Sequence, residues 1–293
     1  MNGGSIRSRS DWPLLAVFFM GLLALGWSWA YASPLGSAAD DDFHLNSIWC
    51  AWGDHETCIA DPPKNRALVP DRLANAPCYA LSSGLDARCT WLLTDDMVTT
   101  DRVNYGYNPE PFYATLRAFV GPDEARSALI MRFFNVAVAA GLLVFAMVIS
   151  RPAVRRALAL GWAACLVPVG VFFIASNNPS SWVIIGTGVF WAFLYTLLSE
   201  PTLRSRRSVA ALLGLSLSAV VALGARSDSF YPLLLSAVAV AILTAPKWRA
   251  RVFVHWAPWV VGLTVLGGMA VLLSNTRAGR YPERSKSIVS PAS

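Results

Sequence analysis

The chain has 293 residues, 55% hydrophobic and only 14% charged, with a mean hydropathy of +0.46 and a net charge of +6. So apolar and charge-poor a composition excludes an ordinary soluble domain and a disordered chain. The basic excess lies largely in short loops between apolar runs, which excludes nucleic acid as the expected partner.

A helix crossing a hydrocarbon core about 30 Å thick needs roughly 20 mostly apolar residues. Seven such windows run at about 13–32, 128–150, 157–175, 180–199, 208–225, 229–246 and 252–274, with Arg132 and His255 their only ionisable side chains. The expected fold is an all-α polytopic membrane protein of seven transmembrane helices, forming a single integral membrane domain over 1–293. The first window follows Arg7 and Arg9 and ends in "AYA", so it reads as a signal peptide or as an uncleaved anchor. Its length and the six later windows favour the anchor.

Arg7, Arg9 and the loops "RPAVRR" (151–156), "EPTLRSRRS" (200–208) and "PKWRAR" (246–251) hold 11 basic residues against two acids. Short loops rich in Lys and Arg stay in the cytoplasm. This predicts a multi-pass plasma-membrane protein with its amino terminus inside and residues 33–127 forming a long external loop. The polar tail 275–293 carries Arg277, Arg280, Arg284 and Lys286, yet an odd helix count places it outside. It is expected to be the stub of a further external loop.

Directly after the first window comes "DDDFH", with Asp40, Asp41 and Asp42 in a row and His44 two residues on. Adjacent carboxylates repel, which raises the proton affinity of at least one and suits a general base. Asp41 and Asp42 are also candidate ligands for a divalent metal, Mg or Mn. A helix starting near Asp40 would put His44 one turn on and on the same face. The competing explanation is an acidic helix N-cap.

Residues 33–127 contain Cys50, Cys58, Cys78 and Cys89 and 14 of the 18 acids. An even cysteine count confined to one external segment predicts two disulfides in a small, loop-rich cap of short helices. Three pairings remain open, of which Cys50–Cys58 with Cys78–Cys89 makes the shortest loops. Cys165, within an apolar window, reads as a small core residue.

Farther along, "NYGYNPEPFYATL" (104–116) surrounds Pro109 and Pro111 with aromatics, among them Tyr107 and Tyr113. They suit an interfacial belt, a groove for a lipid chain, or stacking on a sugar. Arg132 stands just inside the second window, where it can snorkel to headgroups or bind a ligand. Arg226 closes the fifth window beside Asp228, as half of a surface pair or as a cation for a lipid phosphate. The linker "ASNNPSSW" (175–182) is a turn and helix-start signal. Walker, dinucleotide, serine-hydrolase and His-Glu-x-x-His patterns do not occur.

In order and placement these stretches resemble the GT-C superfamily of membrane glycosyltransferases, and within it domain-of-unknown-function family two-one-four-two. Members carry an acidic motif ending in His after the first span, here Asp40-Asp41-Asp42-Phe43-His44. A Pro-aromatic stretch follows, here Asn108-Pro109-Glu110-Pro111-Phe112-Tyr113, and then a span opening like Arg132-Phe133-Phe134-Asn135. An "NPD"-like turn, here Asn178-Pro179-Ser180, and a basic residue after the fifth span, here Arg226, complete the pattern. Asp41 and Ser180 depart from the usual Glu and Asp, and the chain matches only the N-terminal seven-helix module. The resemblance implies sugar transfer from a polyprenyl-phosphate donor to a cell-envelope glycan acceptor at the outer face, with inversion. Asp40 would then be the base, with Asp41 and His44 orienting it and Arg226 and Arg132 holding the lipid phosphate. A non-catalytic or truncated paralogue, or one working with a partner subunit that supplies further helices, is the alternative expectation.

Overall fold

In the structure, a computed structural model, residues 11–61, 66–80, 82–104 and 111–248 are described. Their long helices coincide with the charge-free windows. Five are long and apolar enough to cross a membrane: α1 (Asp11–Ala32), α5 (Glu124–Ile149), α8 (Ser180–Ser199), α9 (Arg206–Ala225) and α10 (Phe230–Trp248). Their ends carry polar stops. The Asp123 carboxylate accepts from the Arg126 amide at 2.9 Å to cap α5, and the Ser205 hydroxyl accepts from the Ser208 amide at 3.0 Å to cap α9.

The third window departs from a straight span. It is a pair of helices, α6 (Pro152–Cys165) and α7 (Pro168–Ile174), bent by 96° at the break. Pro168 has no amide hydrogen to continue α6 and opens α7 as its first residue. The bend brings Gly170 so close to the Cys165 carbonyl that a Cβ there would lie 2.1 Å from the oxygen. Counting the pair as one, the described residues hold six spans. The seventh window, 252–274, with His255, and the tail 275–293 lie outside the described residues. The described residues as far as 244 form one compact unit.

Within this unit, small residues let helices approach closely. Gly186 on α8 faces the Ser218 carbonyl and Ala222 of α9, and Gly214 on α9 faces the Phe193 ring. The α5, α8 and α9 side chains Leu143, Ile185, Phe193 and Ala211 join the main buried cluster. At one end of the bundle Glu200 accepts from Arg151 at 3.3 Å and Arg207 at 3.4 Å, tying two short loops together.

The opposite end carries the cap. It contains the expected short helices, α2 (Asp41–Trp49), α3 (Asp71–Ala74) and α4 (Pro111–Leu116). It also contains an antiparallel sheet that the sequence did not suggest: β1 (Ile59–Asp61), β2 (Arg66–Pro70) and β3 (Met97–Thr100) in the order β1-β2-β3. Strands of three to five residues leave too little alternation to recognise. The disulfides pair as Cys50–Cys58 and Cys78–Cys89. The first lies in a small core with Val69 and Val103 beneath the sheet. Cys165 is a free thiol at the α6–α7 break and is exposed, not a core residue. A second buried cluster, with Leu45, Ile48, Trp49, Phe112, Met131 and Trp182, joins the cap to the ends of α5 and α8.

Candidate functional site

The residues of the acidic motif are fanned apart by the start of α2. Asp40 is the N-cap and the one described non-glycine residue with positive φ, at 58°. A helix running from Asp41 turns Asp41, Leu45 and Ile48 toward the core as one stripe. Side-chain exposure therefore runs 61% for Asp40, 0% for Asp41 and 18% for Asp42. Although Asp40 occupies the cap position, its carboxylate makes no capping bond. It accepts instead from Arg102 Nη2 at 2.7 Å, while Asp42 accepts from Arg102 Nε at 2.7 Å and Nη2 at 3.1 Å. The two acids keep Arg102 protonated, Asp42 contributing more than Asp40.

Arg102 was not foreseen. Its one signal was position, directly ahead of the Pro-aromatic stretch. The fold fixes it through α2: Asn46 Nδ2 donates to the Arg102 carbonyl at 3.1 Å and also to the Asp42 carbonyl. The Ser47 hydroxyl accepts from the Asn104 amide at 2.8 Å. The Arg102 guanidinium also lies over the Phe43 ring, 5.7 Å from its centroid.

Asp41 and Arg132 meet in a buried ion pair with Nη2–Oδ2 at 3.0 Å. Arg132 further donates to the carbonyls of Ser33 at 2.7 Å and Pro34 at 3.2 Å. It therefore neither snorkels to headgroups nor presents its charge to a ligand at the surface. It ties the exit of α1 to the start of α2. Burial pushes the Asp41 carboxyl above its ordinary value, and Arg132 opposes that shift. Asp41 and Asp42 thus face different arginines, and among the described residues no group of three His, Cys, Asp or Glu side chains is placed to hold a metal ion.

His44 is buried one turn into α2, with Nδ1 2.9 Å from the Tyr113 hydroxyl. Burial lowers its pKa to about 4; Asp40 and Asp42 resist the shift, and Arg226 and Arg102 reinforce it. Arg226 is thereby within electrostatic reach of His44, although the two are 182 residues apart in sequence. It is half-exposed and bonded to Asp228 by Nε at 3.1 Å and Nη2 at 3.0 Å. Tyr113 and Phe112 are buried in the protein, so these two form no lipid-facing belt. Phe112 packs edge-on against Trp182. Tyr107 lies outside the described residues.

The turn 175–182 is bound to the same place. Asn178 Nδ2 donates to the Ala39 carbonyl at 3.0 Å, next to Asp40, and its Oδ1 accepts from the amide of Ser180, the first residue of α8, at 2.8 Å. That bond uses the backbone of residue 180, so Ser suffices there. Asn135 accepts from Trp182 Nε1 at 2.9 Å and donates to the Ser176 carbonyl at 2.8 Å. Motifs spread over nearly two hundred residues converge on one patch at the cap end.

The low pKa of His44 has a measurable consequence. Folded His44 titrates near 4 and its unfolded counterpart near 6.5, so between those values the unfolded chain binds more protons. Stability is full above about pH 6.5, falls as the pH drops, and reaches its floor below about pH 4. Melting temperatures of the purified protein across that window should show this fall, and His44→Gln should flatten it. An equal slope in the variant would assign the effect elsewhere.

Apolar spans, paired intramembrane-end charges and a disulfide-stapled cap define a multi-pass α-helical membrane protein. No curated protein and no solved structure matches the chain. The chain belongs to the family DUF2142, described as predicted membrane protein, whose model matches residues 23–292.

Proposed function

We propose that the cap end is the active face of a GT-C-like glycosyltransferase, which moves a sugar from polyprenyl phosphate to a hydroxyl of a cell-envelope glycan at the outer side of the plasma membrane. The observation that carries this reading is the exposed Asp40 carboxylate, bonded to the half-exposed Arg102, with a neutral His44 that feels the charges of both Asp40 and the half-exposed Arg226. The acceptor hydroxyl gives its proton to Asp40 as its oxygen bonds to the anomeric carbon. The bond from that carbon to the phosphate oxygen breaks, and the electron pair leaves with polyprenyl phosphate. Phosphate is a competent leaving group, so cations that offset its charge matter more than a second acid. Arg226 suits that role because its surface pair with Asp228 is weak enough to yield to a phosphate. Arg102 takes the place first considered for Arg132, which the buried pair occupies. Asp41 and Asp42 do not fit a shared Mg or Mn ion, since Asp41 is buried against Arg132 while Asp42 is bonded to Arg102.

A specific observation favours a second reading. Asp40 and Asp42 share Arg102, and Arg226 is joined to Asp228, so each of these charges already has a partner within the protein, as a non-catalytic paralogue or partner subunit would tolerate. Membranes containing the chain separate the two when assayed with radiolabelled polyprenyl-phosphate sugars. Transfer is expected, with Arg226→Ala raising the donor KM about tenfold at little cost in kcat, the loss of one charge-assisted contact. Absence of transfer from every such donor would leave the non-catalytic reading standing.

A further inference from the structure

Part of the cap presents large apolar side chains that no other part of the described chain covers. Between the cysteines of the second disulfide and just beyond it, Leu85, Trp91 and Leu92 are exposed, Trp91 at 79% and Leu92 at 83%. Trp91 and Leu92 end a 3₁₀ turn, Ala87–Leu92, in which no residue is buried. Surface of this kind costs about 25 cal/mol per Å² while it faces water, so neighbouring large apolar residues left outside call for a cover.

The base of the loop shows where it stands. Tyr79, next to Cys78, donates its hydroxyl to the Leu35 carbonyl at 3.0 Å, three residues beyond the end of α1. Gly36, at φ +79°, lies so close to Ala76 that a Cβ would fall 2.4 Å from its carbonyl carbon. Cys78 and Cys89 are joined with their Cα atoms 6.2 Å apart, and Trp91 is two residues further on, a reach of about 7 Å at most. The exposed pair is thus leashed to the level at which the chain leaves an apolar span. Arg88 is already committed, giving Nε and Nη2 to Asp86, so the loop offers apolar surface more than free charge.

We propose that the Cys78–Cys89 loop is an interfacial anchor, with Leu85, Trp91 and Leu92 inserted among the lipid headgroups and upper acyl carbons beside α1. Tryptophan favours that layer because its ring is apolar and its N–H remains hydrogen-bonded at the polar boundary. The disulfide holds the turn compact, so little ordering is left for insertion to impose. The ligand is the bilayer itself, and the anchor steadies the cap against the membrane independently of any chemistry at Asp40.

The test is photo-crosslinking of the full chain in native membranes, with p-benzoylphenylalanine replacing Trp91, Leu92 or, as a cap control, the exposed Ile59. All three side chains are outside the core, so the fold tolerates the exchange. Mass spectrometry should find phospholipid adducts at positions 91 and 92 in yields about tenfold above position 59, as a surface-lying apolar segment requires. Yields equal at all three positions, or adducts at 91 and 92 to another protein only, would overturn the proposal, the latter in favour of a protein partner.

Discussion

Arg132→Ala is expected to leave little folded protein. The guanidinium is buried, paired with a carboxylate that has no exposure, and bonded to two carbonyls beyond α1. Removing it strands the Asp41 charge and those carbonyls away from water, a change that costs about 3–5 kcal/mol where one partner of a buried pair is lost. Arg132→Lys should recover only part, because a single ammonium cannot reproduce the planar fork that reaches both Asp41 and the carbonyls. The double variant Arg132→Met/Asp41→Leu should melt above Arg132→Ala, since no charge is then left alone. Melting curves of the purified variants decide this. An Arg132→Ala protein melting with the wild type would mean that the residue is a headgroup snorkel after all.

Asp40→Asn is expected to keep the fold and lose the reaction. Asparagine, like aspartate, accepts the left-handed backbone at φ 58°, so the start of α2 survives the exchange. The amide still offers Arg102 an oxygen but takes no proton. A positioned general base contributes about 10²–10⁴-fold, and sugar transfer from polyprenyl-phosphate donors should fall by that factor with the melting temperature nearly unchanged. Equal transfer rates for variant and wild type would remove Asp40 from the chemistry. Asp40→Ala is the poorer probe, because it adds backbone strain to the lost carboxylate.

The spans were legible because bilayer crossing imposes a long apolar run on each of them, and the helices found begin and end within a few residues of the windows. The elbow was legible in principle, since Pro168 stands inside the third window. A span with no charge hid it, because hydropathy does not register a missing amide hydrogen. At the site, the three adjacent aspartates looked equivalent in sequence. Only the helical turn beginning at Asp41 separates them, sending one to Arg132 and two to Arg102. Arg102 lies about sixty residues from its partners, a pairing that no local spacing encodes. Arg132 was singled out for its intramembrane position, but its role follows from the carbonyls it reaches, which tertiary structure alone supplies.

The elbow also bears on the lipid around the protein. The arms of α6 and α7 have 14 and 7 residues and meet at 96°, so they cannot both lie along the bilayer normal. At 1.5 Å per residue the longer arm covers about 21 Å, against about 39 Å for the 26 residues of α5. The longer arm is shorter than a hydrocarbon core of about 30 Å whereas α5 exceeds it, so the two present different lengths of helix to the surrounding lipid. Membranes of different acyl length are therefore expected to load these two helices unequally.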